Sequence, residues 1–109
     1  MVIVNPIPAT TISTSSISHD QGYAYQFINS FGGIIADTTS NGSQSKLRLF
    51  ENGTELTQAH AYHQDVQQYG QGRFSHWDDG SGTKILLFSA SDNSNPMTNG
   101  RTYSYKIGN

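Results

Sequence analysis

Residues 46–56 constrain the fold more tightly than any other stretch of this chain. Leu47 and Leu49 alternate with Lys46, Arg48 and Phe50, and Glu51-Asn52-Gly53-Thr54 then reverses the direction. Period-2 alternation is the pattern of a strand with one face on a core, and Asn-Gly supplies the two positive-φ positions that a two-residue hairpin turn requires. A lone hairpin is marginal in water, so the rest of the chain has to supply further strands to cover it.

Those strands are legible on both sides. Tyr23, Tyr25 and Phe27 alternate with Ala24 and Gln26, which predicts a half-buried strand. Residues 10–18 are β-branched and hydroxyl-rich, anchored by Ile12 and Ile17, and read as an edge strand. Phe31-Gly-Gly predicts a bend leading into a short apolar strand over 34–37, followed by a loop over 38–45. Residues 73–77 form a short strand, Asp78-Asp-Gly-Ser-Gly turns, and Ile85-Leu-Leu-Phe88 is apolar on both faces, as a central strand would be. After the polar loop 91–100, Tyr103, Tyr105 and Ile107 alternate with Thr102, Ser104 and Lys106 and are expected to pair back on the 83–90 strand across that loop. Only 58–69 suggests helix: Tyr62, Val66 and Tyr69 fall near helical spacing, with Gly70 and Gly72 stopping it after one or two turns. Composition agrees, since Ser, Thr, Asn and Gln fill 40 of 109 positions, beside 11 Gly, and such side chains compete with helical backbone bonding. The expected fold is all-β: one small antiparallel β-sandwich or jelly-roll of about seven strands over residues 12–109, with at most one short helical turn. Pro6 and Pro8 make residues 1–11 an extended N-terminal arm.

Charge and chemistry narrow the function. Six Lys and Arg against eight Asp and Glu give a net charge of −2, which provides no footprint for nucleic acid or an anionic membrane. With no Cys, disulfides, thiolate metal sites and cysteine nucleophiles are all excluded. The N-terminus lacks a basic segment, an apolar run and a cleavage site, so the chain is expected to reach a virion or cell surface within an assembly and otherwise to stay cytoplasmic. Ser43-Gln-Ser-Lys46 and Ser91-Asp92-Asn93 match two elements of penicillin-recognising serine enzymes, but Ser43 follows a turn in a chain too short for that fold. Asp65, Asp78, Asp79 and Asp92 lack the apolar setting of a glycosidase acid and read as turn and cap residues. His60, His63 and His76, near Asp65, are weak candidates for a metal site because their spacing is not diagnostic. No cofactor and no catalysis are expected. Asp92-Asn-Ser-Asn95 departs from calcium-loop spacing at Pro96 and reads equally as a set of Asx turns.

The residues suited to gripping a sugar are Arg73, His76, Trp77, Asp92, Asn93 and Arg101, combining aromatic surface with amides and charged groups for vicinal hydroxyls. Trp77 could equally serve as the core aromatic of a small sandwich. Leu49-Phe-Glu-Asn-Gly, Ala59-His60, His63, Gly70-x-Gly72-Arg-Phe-Ser-His-Trp77, Leu87-Phe-Ser-Ala-Ser-Asp-Asn-Ser-Asn-Pro96 and Thr98-Asn-Gly-Arg-x-Tyr103 together resemble a small accessory module of bacterial surface-polysaccharide proteins and of phage virion and tail proteins. The resemblance covers about 47–103 and carries over no catalytic residue; where the pattern has a second Asp and an Arg around the proline, this chain has Asn95 and Met97. It implies a non-catalytic, glycan-binding recognition module, or else a virion structural protein such as a capsid decoration or tail component that docks on a partner subunit or forms a homo-oligomer. A small metal-dependent enzyme is a third reading, resting only on the histidines.

Overall fold

The computed structural model describes residues 9–108. Two four-stranded antiparallel sheets form a sandwich. The first has the order β1 (Thr10–Ile12), β8 (Tyr103–Ile107), β4 (Leu47–Glu51), β5 (Thr54–Leu56); the second runs β2 (Ile17–His19), β3 (Tyr25–Ile28), β7 (Lys84–Phe88), β6 (Phe74–Asp78). There are eight strands because the 10–18 run divides: a 3-10 turn at Thr14–Ser16 carries the chain from one sheet to the other. Ile12 and Ile17 are both buried, each on an edge strand. Thr10 and Thr11, where the arm and edge-strand expectations overlap, pair with Tyr105 and Ser104; residues 1–8 of the arm lie outside the described residues.

The β4–β5 hairpin forms as expected, with Asn52 at φ 49° and Gly53 at φ 80°. Leu47 and Leu49 face the core, while Phe50 is buried on the opposite face beneath the Arg48 and Lys106 cations, 5.4 and 5.2 Å from its ring centre. Between the sheets, Leu49, Leu86, Phe88 and Tyr103 are fully buried, each large side chain contributing about 1.5–3 kcal/mol of transfer free energy. β7 is central and covered on both faces. Leu86 and Phe88 point between the sheets, and Leu87 packs outward with Ala24 and Val66 of α1 (His63–Gln68). In α1 only Val66 is buried; Tyr62 and Tyr69 are exposed, so the helical spacing in the sequence does not mark one apolar stripe.

Two expectations are corrected. β8 does not pair back on β7 but lies between β1 and β4 in the other sheet. Both edges of β7 are occupied by β3 and β6, and residues 91–102 are long enough to cross the roughly 10 Å between packed sheets. Tyr103 then meets Phe88 across the core at 5.3 Å between ring centres. Residues 34–37 form no strand; only Asp37 makes a single parallel bridge, to Trp77, and Ile35 is exposed. Gly32 and Gly33, both at positive φ, throw the chain outward, so that it regains β6 only at its end.

Candidate functional site

β6 sets the geometry. Phe74 packs in the inter-sheet core, and His76, two residues on, is also buried, leaving Ser75 and Trp77 on the outer face. The free edge of β6 is covered by irregular chain rather than by a strand: the Phe74 N–H donates to the Gln58 carbonyl and the Ala61 N–H to the Phe74 carbonyl, while the Asp37 N–H donates to the His76 carbonyl. These two passing segments bring His60 over Asp37.

The Asp37 carboxylate is 1% exposed and accepts from the Ser45 N–H at 2.7 Å and from His60 Nδ1 at 2.6 Å. A buried carboxylate requires such partners. The bond assigns the proton of His60 to Nδ1 and leaves Nε2 free. His60 holds this position at φ 59°, a left-handed conformation that costs a non-glycine residue about 1 kcal/mol or more. Beside it, His63 at the start of α1 stands edge-on to Trp77, with 5.1 Å between ring centres. The buried His63 Nε2 has no hydrogen-bond partner. Burial lowers the His63 pKa, Asp20 opposing in part.

Together with Thr38 and the exposed Tyr62, these groups line a cleft of about 420 Å³, within the size range of small-ligand sites. Its walls offer a half-buried indole, an exposed phenol, the His60 imidazole and a hydroxyl. A more open hollow of about 570 Å³ lies on the other side of His60, above Leu47, Leu56 and Phe74. On its rim Arg48 donates to both oxygens of Glu55 at 2.9 and 2.7 Å, so these two charges are spent on each other, and the exposed Lys46 stands beside them.

The six residues selected from sequence do not converge. Trp77 is in the cleft. His76, on the same strand, points the other way: 2% exposed, with Nδ1 2.6 Å from Ser45 Oγ and its ring edge-on to Phe31. It reaches no solvent-accessible ligand. Burial is the main cause that pulls its pKa down to about 4; Lys84 acts in the same sense, and Asp37 and Asp78 oppose. Arg73 stands just before β6, roughly 13 Å from Trp77 at 3.3 Å per strand residue. Asn93 is beside it, its amide consumed by the Gln71 N–H at 2.6 Å and the Tyr69 carbonyl at 3.2 Å.

Asp92 and Arg101 form a bidentate pair at 2.7 and 2.8 Å. Hydrogen bonding to Arg101 holds the Asp92 carboxyl far below the usual range, and the Arg101 pKa is raised in return. Arg101 also approaches Glu51 at 3.5 Å, and Glu51 accepts from Ser91 Oγ at 2.6 Å and Tyr103 Oη at 2.7 Å. This network ties the 91–102 loop to the β4–β5 turn. Within the loop, Asp92, Asn95 and Asn99 each accept the N–H two residues ahead, making it the run of Asx turns the sequence allows.

The histidines do not gather either. His60 and His63 share the cleft and His76 lies in the core; among the described residues no group of three or more His, Cys, Asp or Glu could hold a metal ion. Sequence reading missed Asp37 and Tyr62. The signal for Asp37 was its place at the end of the apolar run Ile34-Ile-Ala, since a carboxylate there must be buried with a partner or turned out. Its partner His60 lies 23 residues away, beyond any local pattern. Comparison with known proteins adds no relative: no family model, curated protein or solved structure matches the chain.

Proposed function

We propose that the protein is a non-catalytic recognition module and that the Trp77 cleft receives a glycan. The observation that carries this reading is the pairing of a half-buried indole with an imidazole locked in place by a buried carboxylate. A sugar ring offers an apolar C–H face to an aromatic side chain and hydroxyls to fixed donors and acceptors. The His60 imidazole, held through Nδ1, supplies such a group at Nε2, and Tyr62 extends the aromatic wall. His60 is oriented before any ligand arrives, which reduces the ordering cost of binding. Asp37 is the one carboxylate among the lining residues and is already occupied by two donors. The cleft therefore lacks the second carboxylate on which acid–base cleavage of a glycosidic bond depends.

The test is a glycan array followed by calorimetry on the best saccharide, with Trp77→Ala and Tyr62→Ala. Tyr62 is 80% exposed, so its removal leaves the fold intact and is expected to weaken binding by about threefold to tenfold, the size of one lost aromatic contact. Trp77→Ala should abolish retention with its circular dichroism unchanged. If Trp77→Ala unfolds the chain and Tyr62→Ala binds as tightly as the parent, both side chains are outside the binding surface and the proposal fails.

A further inference from the structure

Arginine usage singles out a second place on the surface. The chain has three arginines. Arg48 is taken up by Glu55 and Arg101 by Asp92 and Glu51. Among the described residues Arg73 has no carboxylate oxygen within ion-pair distance. It is nonetheless held firmly: its Nη1 donates to the Gly70 carbonyl at 3.0 Å, and its guanidinium lies 5.5 Å from the centre of the Tyr69 ring.

The support beneath it is rigid for a definite reason. Gly70, Gln71 and Gly72 follow one another at positive φ, a path closed to most side chains. A Cβ on Gly70 would sit 2.1 Å from Asn93 Oδ1 and 2.9 Å from Tyr23 Cβ. Asn93 closes this turn with both ends of its amide. Tyr69 and Tyr23, 57% and 42% exposed, thus flank Gly70 on a fixed base, with the Arg73 cation against one of them.

We infer that Tyr23, Tyr69 and Arg73 form a second binding platform, separate from the Trp77 cleft, for a saccharide that carries a carboxylate, such as a uronic acid residue. One N–H of a five-donor guanidinium is used internally, and the remainder match a carboxylate in the two-pronged geometry that arginine favours. A sugar acid presents that carboxylate next to an apolar C–H face, which suits a tyrosine ring beside the cation. The net charge of −2 and the single free arginine do not suit a phosphate polymer, which needs several cations in a row.

The experiment follows the Arg73 Nε–H signal of the 15N-labelled full chain by NMR during titration with a glucuronate-containing trisaccharide. The same trisaccharide with its carboxyl reduced to an alcohol, and acetate, serve as controls. The Arg73 signal is expected to move with the acidic sugar, and the reduced sugar and Arg73→Gln each to bind about tenfold or more weakly, the loss of one charge-assisted pair. Arg73→Lys keeps the charge but not the fork and should recover only part of that loss. Tyr62→Ala, which alters the cleft and leaves the fold intact, should leave this titration unchanged, so failure of the cleft and failure of the platform are read separately. Equal binding of the acidic and reduced sugars, an unmoved Arg73 signal, acetate binding as tightly as the sugar, or loss of binding in Tyr62→Ala would each overturn the inference.

Discussion

Acidification should unlock the core through His76. The imidazole is 2% exposed and its pKa is pulled from 6.5 down to about 4, chiefly by burial. In the unfolded chain it returns to the ordinary value. Between these two values the unfolded state therefore binds more protons than the folded one, so stability is full above about pH 6.5 and falls as the pH drops toward 4. At about 1.4 kcal/mol for each pH unit separating the two values, His76 alone removes roughly 3 kcal/mol by pH 4, a large share of the 5–15 kcal/mol typical of a domain. The consequence reaches the cleft, because the His76 carbonyl accepts the Asp37 N–H and its Nδ1 bonds Ser45 Oγ, while the Ser45 N–H donates to Asp37. The assay is urea unfolding followed by the fluorescence of the single tryptophan at about pH 7 and about pH 4, on the parent and on His76→Asn. Asn keeps a polar atom near the Nδ1 position and does not titrate. Its smaller volume lowers stability equally at both pH values, and His63, also shifted downward, is common to both proteins. Subtracting the two pH dependences isolates His76. If His76→Asn loses as much stability on acidification as the parent, the buried neutral imidazole is not the acid-sensitive group and the reasoning is wrong.

Two further perturbations probe the frame around the sites. Burial by itself would raise the Glu51 pKa, but hydrogen bonds from Ser91 and Tyr103 and the charge of Arg101 outweigh it and leave the carboxylate lowered; Glu51→Gln should cost about 1–3 kcal/mol in urea unfolding at neutral pH, and a cost near zero would show that the network does not hold the 91–102 loop. Gly22 is at φ 55°, and a Cβ there would stand 2.2 Å from the Gln67 carbonyl oxygen; Gly22→Ala should destabilise by more than about 1 kcal/mol and raise amide exchange at Tyr23, whose N–H donates to that same oxygen, whereas unchanged exchange would place the anchoring of α1 elsewhere.

The parts of this protein determined by its sequence alone are those fixed by chemistry between near neighbours. Asn52-Gly53 can adopt its two positive φ values in almost any context, and the alternation of Leu47 and Leu49 then decides which face of β4 is buried. The two-faced apolar run 85–88 likewise announces a central strand, because only a strand covered on both sides can place four such residues in a row. The Asx turns of the 91–100 loop are equally local, each linking residues two apart. Where the chain returns after that loop was not local. A polar loop ending in Asn-Gly suits a strand that folds back on its neighbour or one that crosses to the other sheet, and the choice fell to the core, where Tyr103 completes the packing on Phe88 while β3 and β6 already fill both edges of β7. The candidate sites divide in the same way. Sequence marks Trp77 and Arg73 by residue type, but strand alternation with a particular phase turns His76 inward and Trp77 outward, and the length of β6 separates Trp77 from Arg73. Asp37 and His60 become partners only because two irregular segments pass the open edge of β6 side by side. Contacts of that kind depend on the path of the whole backbone, which no window of neighbouring residues contains.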